Sequence, residues 1–183
     1  MPLVGTYHTY SENVLTNGAA GWVLGGRRRM TRLRVRIAVS PAAARTARRF
    51  YGGEYRIIPN GVNLAAASAT RSQPAARGPD EPLRIVCIAQ PVPRKGLPVL
   101  LRAFATLRDR IPATLTLIGA GPEEAAAMTP ELRRITALGK VSDEVKRAEL
   151  RAADVLCAPS LYGESFGMIL TEAFAEQTPR RLL

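Results

Sequence analysis

Two glutamates near the end of the chain, Glu164 and Glu172, enclose seven residues in GESFGMILTE. Glu164 stands in a Gly-Glu-Ser setting that favours a turn, and Glu172 lies in an apolar pattern that favours a helix. A carboxylate accepts two hydrogen bonds side by side, so each suits a vicinal pair of hydroxyls, one pair on a sugar and the other on a ribose. Ser165 is the residue type that caps a helix N-terminus, which would leave the backbone N–H groups of 165–168 for phosphate or sugar oxygens. Gly163 and Gly167 would keep side chains clear of that site. The same residues can also be read as a capping turn followed by an exposed helical glutamate, and spacing alone leaves both readings open.

The elements that must position these groups are written as an α/β alternation. LVGTYHTY, RIAVS and YRIIPNGV are strand-like, with a helical stretch around Trp22 and a second that opens at Ser40-Pro41, an N-cap followed by proline in the first turn. Residues 64–82 lose periodicity and fill with Ala, Ser, Pro and Gly, as a linker does. A second series follows: LRIVCIA; a helix with Leu97, Leu100, Leu101, Phe104 and Leu107 on one face; TLTLIGAG; a helix around 123–134; ITALGKV; a helix capped at Ser142-Asp143; DVLCAPS; and the helix of the two glutamates. The pattern predicts two units with parallel sheets, 1–63 and 83–183, joined by 64–82. Such sheets bind ligands beyond the C-terminal ends of their strands, so the turns after HTY, PNG, IAQPVPRKG, IGAG and APSLYGES are expected to share a cleft.

Composition narrows the class. Apolar residues make up 46% and charged residues 22% of the 183, within the globular range, and no apolar run has the length of a membrane span. MPLVGTYHTY lacks the charged and apolar regions of a secretory signal. Cys87 and Cys157 sit in apolar strand-like runs and are expected as buried thiols of a reducing cytosol. Of the net charge of +11, residues 1–63 carry +8, from ten arginines against Glu12 and Glu54. Arg27, Arg28, Arg29, Arg32, Arg34 and Arg36 form a dense cationic segment. It suits an anionic phospholipid surface, where each basic side chain contributes ~1 kcal/mol. A solvated face is the plainer reading, and nucleic acid would feel the same field. Aromatics that could stack on bases do not interleave with the arginines, so no nucleic-acid partner is expected.

APSLYGESFGMILTEAFA resembles the Glu-x7-Glu signature of retaining glycosyltransferases of family 4. IPNGVN resembles their interdomain segment, PRKGLPVLLRAF their phosphate-binding loop and helix, and LTLIGAGPE their glycine turn. The subgroup it most resembles is the phosphatidylinositol mannosyltransferases. The resemblance implies a GT-B fold, two Rossmann-like domains, here incomplete in both. It implies transfer of a hexose, mannose by subgroup, from a nucleotide-sugar such as GDP-mannose to a lipid or other hydroxyl acceptor, with retention. It also implies a cytoplasmic location, peripheral at the inner membrane face.

Carried over by residue, Glu164 contacts the sugar hydroxyls; the amides of Ser165, Phe166 and Gly167 contact sugar and diphosphate; and Glu172 holds the ribose. Lys95 neutralises the departing diphosphate, as a cation does where negative charge develops. Gly119, Gly121, Lys140 and Val141 lie near the base, and His8, the sole histidine, faces the reacting sugar. The glutamates are then not a glycosidase acid/base pair. No cofactor beyond the donor is required, and no divalent metal is indicated by the residues.

The chain departs from the family pattern at Ala89-Gln90, where Gly-Arg is usual. A neutral Gln90 forgoes a charge-assisted contact of ~1.5–3 kcal/mol, for which the neighbouring Arg94 offers a cation. Two full domains need roughly 300 residues, so the first strands and glycine-rich loop of the first domain and the last strands of the second are expected to be missing. Gln177 replaces a helix-ending glycine, and Pro179 is followed by Arg-Arg-Leu-Leu where an apolar strand is usual, as a one-base frameshift near the Pro179 codon would produce. The alternative reading is a non-catalytic, nucleotide-sugar-binding remnant. A Rossmann oxidoreductase would lean on Gly119-Ala120-Gly121, but GAGPEE lacks the third glycine of the dinucleotide fingerprint.

Overall fold

The two sheets are built from different side chains. In the computed structural model, which describes residues 1–11, 13–64, 78, 81–129 and 131–178, the chain forms two compact units. Met1–Gly61 with Gly163–Met168 make the first, and Val62–Tyr162 with Ile169–Leu183 the second. Most of the linker expected over 64–82, and the ending from Pro179, lie outside the described residues.

In the first unit, β1 (Val4–Tyr7), β2 (Val35–Ala38) and β3 (Arg56–Ile57) form a parallel sheet in the order β1-β2-β3. The helical stretch around Trp22 is three short pieces: α1 (Val14–Gly18), a π-helical turn (Ala19–Val23) and α2 (Gly26–Met30). After β2, the Ser40 hydroxyl accepts a hydrogen bond from the Ala43 amide at 3.0 Å and Pro41 opens α3 (Pro41–Tyr51), the start that Ser-Pro encodes. Helix α3 buries Ala43, Ala44, Ala47 and Phe50; the first three join Ala38, Val39 and Tyr55 in a core of mostly small side chains.

The second unit has four parallel strands in the order β6-β5-β4-β7: β4 (Leu83–Ile88), β5 (Ala113–Ile118), β6 (Ile135–Ala137) and β7 (Val155–Leu156). Strands β4 and β5 pair over six residues each, and their side chains pack into apolar clusters on both faces of the sheet, as a parallel sheet requires. Ile85, Cys87, Leu115 and Leu117 pack against Leu97, Leu100, Leu101 and Phe104 of α4 (Leu97–Arg108). Val86 and Ile118 pack with Leu150 of α6 (Asp143–Ala152) and Ala173 of α7 (Met168–Ala175). The Asp154 carboxylate accepts from the Arg84 amide at 2.9 Å and from its guanidinium at 3.0 and 3.3 Å, locking β4 and β7 together at one end.

The helix expected around 123–134 is shorter, α5 (Pro122–Met128). Thr129 is extended, as the residue before Pro130 must be. The strands expected in YRIIPNGV, ITALGKV and DVLCAPS contract to two or three residues each.

Candidate functional site

In the second unit the chain leaves the strands through turns tied backbone to backbone. After β4 it passes Ala89 and Gln90 into a single 3-10 turn, Pro93–Lys95. The Lys95 amide donates to the Val92 carbonyl at 2.9 Å, and the Leu161 amide, beyond β7, donates to the Arg94 carbonyl at 2.8 Å. Gly96 has a left-handed φ of 67°, and a Cβ there would come within 2.2 Å of the Pro159 carbonyl oxygen, so glycine is what allows the two turns to meet. Gly119, at φ 96°, is equally constrained, because a Cβ would lie 2.6 Å from the Ala89 oxygen. Its amide donates to the Gly139 carbonyl at 2.7 Å, and the Gly139 amide donates to Ala120 at 3.0 Å. The turns after all four strands are thus joined along the C-terminal edge of the sheet, where parallel α/β folds bind ligands.

Cations gather at this edge. Arg94 and Lys95 are half-buried beside the start of α4, and Lys140 is exposed in the turn after β6. The field they create favours an anionic ligand. Val141 is half-buried against the core of Val86, Ile118 and Leu150, whereas Gln90 is exposed. The Gly121 amide donates to Glu124 Oε2 at 2.7 Å, so α5 supplies its own anion at its first turn. Burial beside Cys157 pushes the Cys87 thiol up to about 12, which keeps it unreactive.

Glu172 lies in this same unit, half-buried, with Lys146 Nζ of α6 2.9 Å from its Oε2. Lys146 also reaches Asp143 Oδ1 at 3.1 Å. Burial works against the Lys146 ammonium, but hydrogen bonds to Glu172 and Asp143 outweigh it and raise its pKa. One turn on, the buried Glu176 carboxylate meets Arg151 at 2.9 Å and Arg147 at 3.8 Å, and the Thr178 hydroxyl donates to the Leu150 carbonyl. These contacts fasten α7 to α6. Sequence reasoning did not find Lys146; its Asp143 partner, three residues before it, was visible, but its pairing with Glu172 is a tertiary contact.

The other half of the glutamate signature groups with the first unit. His8, exposed directly after β1, accepts a hydrogen bond at its carbonyl from the Ser165 hydroxyl at 2.6 Å. Ser165 is therefore not the N-cap expected of it. Gly163 and Gly167 adopt φ of 76° and 77°, a left-handed conformation that no helix continues through, so α7 begins only at Met168. Glu172 is consequently the fifth residue of the helix, about one turn in. Phe166 packs on the Ala38, Val39 and Ala43 core, Gly167 is buried and Glu164 is exposed. His8, Glu164, Ser165, Phe166 and Gly167 belong to the first unit, and Gln90, Arg94, Lys95, Gly119, Gly121, Lys140, Val141 and Glu172 to the second.

The basic segment is divided in its roles. The Arg27 guanidinium stacks 4.4 Å from the Trp22 ring centroid, and Arg28, Arg29, Arg32 and Arg34 are exposed. Arg36 instead donates to the Met30 and Gly52 carbonyls at 3.1 and 3.3 Å, which commits it to holding the unit together. Val14, Leu15, Trp22, Val23 and Leu24 are exposed in the same region of sequence. Among the described residues no group of three or more His, Cys, Asp and Glu can hold a metal ion, and no helix is long and apolar enough to cross a membrane.

Parallel α/β units, one with a cationic, glycine-shaped C-terminal edge, define a nucleotide-type binding fold. Comparison with known proteins makes this specific. Residues 82–180 match the family described as Glycosyl transferases group 1, and residues 1–66 match Glycosyltransferase Family 4. The phosphatidyl-myo-inositol mannosyltransferase of Mycolicibacterium smegmatis is 36% identical over 97% of this chain and 46% of its own length. That of Mycobacterium leprae is 37% identical over 97% and 48%. A UDP-forming trehalose-phosphate synthase structure from Burkholderia xenovorans superposes with a TM-score of 0.71 at 17% identity, covering 97% of this chain and 51% of that one. A sucrose-phosphate synthase structure from Thermosynechococcus elongatus gives 0.66 at 26% identity, covering 96% and 48%. The chain belongs to the group 1 and family 4 glycosyltransferases and has the GT-B class of fold. It spans about half the length of the curated relatives it matches.

Proposed function

We propose that the chain is the part of a retaining hexosyltransferase that holds a nucleotide-sugar, with mannose as the sugar and a lipid hydroxyl as the acceptor. The observation that carries the reading is the C-terminal edge of the second sheet, where glycine-dependent turns bring Lys95 and Arg94 to the N-terminus of α4. Lys95 neutralises the diphosphate as the bond to the sugar breaks, with Arg94 as the second cation where Gln90 supplies none. Gly119, Gly121, Lys140 and Val141 border the base, and Glu172 takes the ribose hydroxyls. Glu164 takes sugar hydroxyls with the amides of Ser165, Phe166 and Gly167, and His8 faces the sugar from the end of β1. The leaving phosphate accepts the acceptor's proton on the face it departs from, so neither glutamate acts as a general acid or base. The names of the mannosyltransferase relatives support mannose and a phosphatidylinositol-type acceptor.

Arg27, Arg28, Arg29, Arg32 and Arg34, with exposed Trp22, Val23 and Leu24, suit peripheral association with an anionic cytoplasmic leaflet; Arg36 drops out of that set because its donors serve the fold. The test incubates the chain with GDP-[14C]mannose and phosphatidylinositol vesicles and follows label into the organic phase. Transfer that is lost in Lys95→Ala supports the reading. Binding of GDP-mannose without transfer selects the non-catalytic remnant, and no binding of GDP-mannose or UDP-glucose removes both.

A further inference from the structure

Glu172 reaches the ribose, on the reading above, through a carboxylate that the protein has already engaged. Lys146 Nζ sits 2.9 Å from Oε2, and no other partner holds that carboxylate within the described residues. Oε1 keeps both lone pairs, and Oε2 keeps one, so two adjacent hydroxyls can still be accepted side by side. A glutamate in the second turn of a helix otherwise samples several rotamers, and a ligand that needs one of them must bear the cost of selecting it. It also lies four residues from the carboxylate of Glu176, a repulsive spacing on a helix. Arg147 and Arg151 answer Glu176, and Lys146 alone answers Glu172.

We infer that Lys146 is a positioning residue for ribose recognition: it holds the Glu172 carboxylate, through Oε2, in the orientation that accepts the 2′- and 3′-hydroxyls of a nucleoside diphosphate. This rests on the assignment of Glu172 to the ribose. Lys146 touches no ligand in this role. Its second partner, Asp143 Oδ1 at 3.1 Å, is well exposed, so it steadies the ammonium from the solvent side and leaves the Glu172 contact as the more sheltered of the two. The ion pairs at Glu176 are the natural control, since they join the same two helices without facing the ribose carboxylate.

The experiment compares binding of GDP and 2′,3′-dideoxy-GDP by calorimetry. The native chain should prefer GDP by roughly ten-fold, the worth of one good hydrogen-bonded pair. Lys146→Gln should narrow that preference to about two-fold while leaving 2′,3′-dideoxy-GDP affinity unchanged, and Lys146→Arg should restore most of it. Arg151→Gln, a purely structural control, should weaken both ligands in parallel. The native chain offers a reading that needs no variant to fold: it has only three lysines, Lys95, Lys140 and Lys146, so the 13Cε signal of Lys146 can be followed directly. It should shift with GDP and stay in place with the dideoxy analogue. A native chain that fails to distinguish the two ligands overturns the ribose assignment of Glu172 and this inference with it. A native chain that distinguishes them while Lys146→Gln does so equally, or whose Lys146 signal is unmoved by GDP, overturns this inference alone.

Discussion

The second unit buries Phe104 and five leucines almost completely, on both faces of a four-stranded sheet, and fastens its elements with ion pairs at Asp154, Glu172 and Glu176. The first unit has three short strands, a core led by alanines, and exposed Leu15, Trp22, Val23 and Leu24 in its helical connection. Large interlocked side chains fix backbone positions closely, because removing one leaves a cavity that neighbours fill poorly. The proposed diphosphate site would have to be held to within a fraction of an ångström, and the cationic turn after β4 has that kind of support from α4. A surface that meets a lipid face can be looser, provided it presents charge and apolar tips together.

The difference can be broken at its strongest point. Phe104→Ala in α4 should cost roughly 3–5 kcal/mol of stability, read as a fall in urea midpoint by circular dichroism, because its ring is 1% exposed between β4 and β5. A loss below about 1 kcal/mol would mean that the second unit is no more tightly built than the first.

A smaller effect sharpens the other side of the comparison. Replacing exposed Arg28, Arg29 and Arg32 together by glutamine should weaken binding to phosphatidylserine-containing vesicles by about 3 kcal/mol, or roughly a hundred-fold, at low salt. The sole tryptophan, Trp22, lies in this region, so its emission should shift to the blue on binding by the native chain. Equal binding of neutral and anionic vesicles would remove the electrostatic role assigned to the segment.

Local chemistry made much of this legible in the sequence. Ser40-Pro41 and Ser142-Asp143 both start helices because a serine oxygen accepts from an amide three residues on, and at the first of them Pro41 adds a fixed φ. The α4 stripe of Leu97, Leu100, Leu101 and Phe104 is a repeat that only a helix places on one face. What escaped depends on distant partners or on backbone that competes with side-chain preference. Ser165 has the type of a cap but bonds to His8, across 157 positions of sequence, because Gly167 takes a conformation that delays the helix. Lys146 carried no motif, and its meaning arises only once α6 lies beside α7. Arg36 reads in sequence as one of the surface arginines, because charge is visible there and hydrogen bonding to the Met30 and Gly52 carbonyls is not.

The two serine caps give the finest version of the comparison, since they place the same chemistry in each unit. Ser40 is nearly buried and accepts from Ala43 at 3.0 Å; Ser142 is exposed and accepts from Val145 at 3.3 Å. Water can replace the lost oxygen at Ser142 but reaches Ser40 poorly, so the buried cap leaves an amide without a partner. Ser40→Ala should therefore cost about 1–2 kcal/mol and Ser142→Ala about 0.5 kcal/mol, within the range for N-cap replacement. Helix α3 packs through alanines, which offer little apolar surface to absorb the loss, whereas α6 is also held by Lys146, Arg147 and Arg151. Equal costs for the two variants, measured as urea midpoints, would show that solvent access does not set the worth of these caps, and that the first unit is firmer at α3 than its small side chains imply.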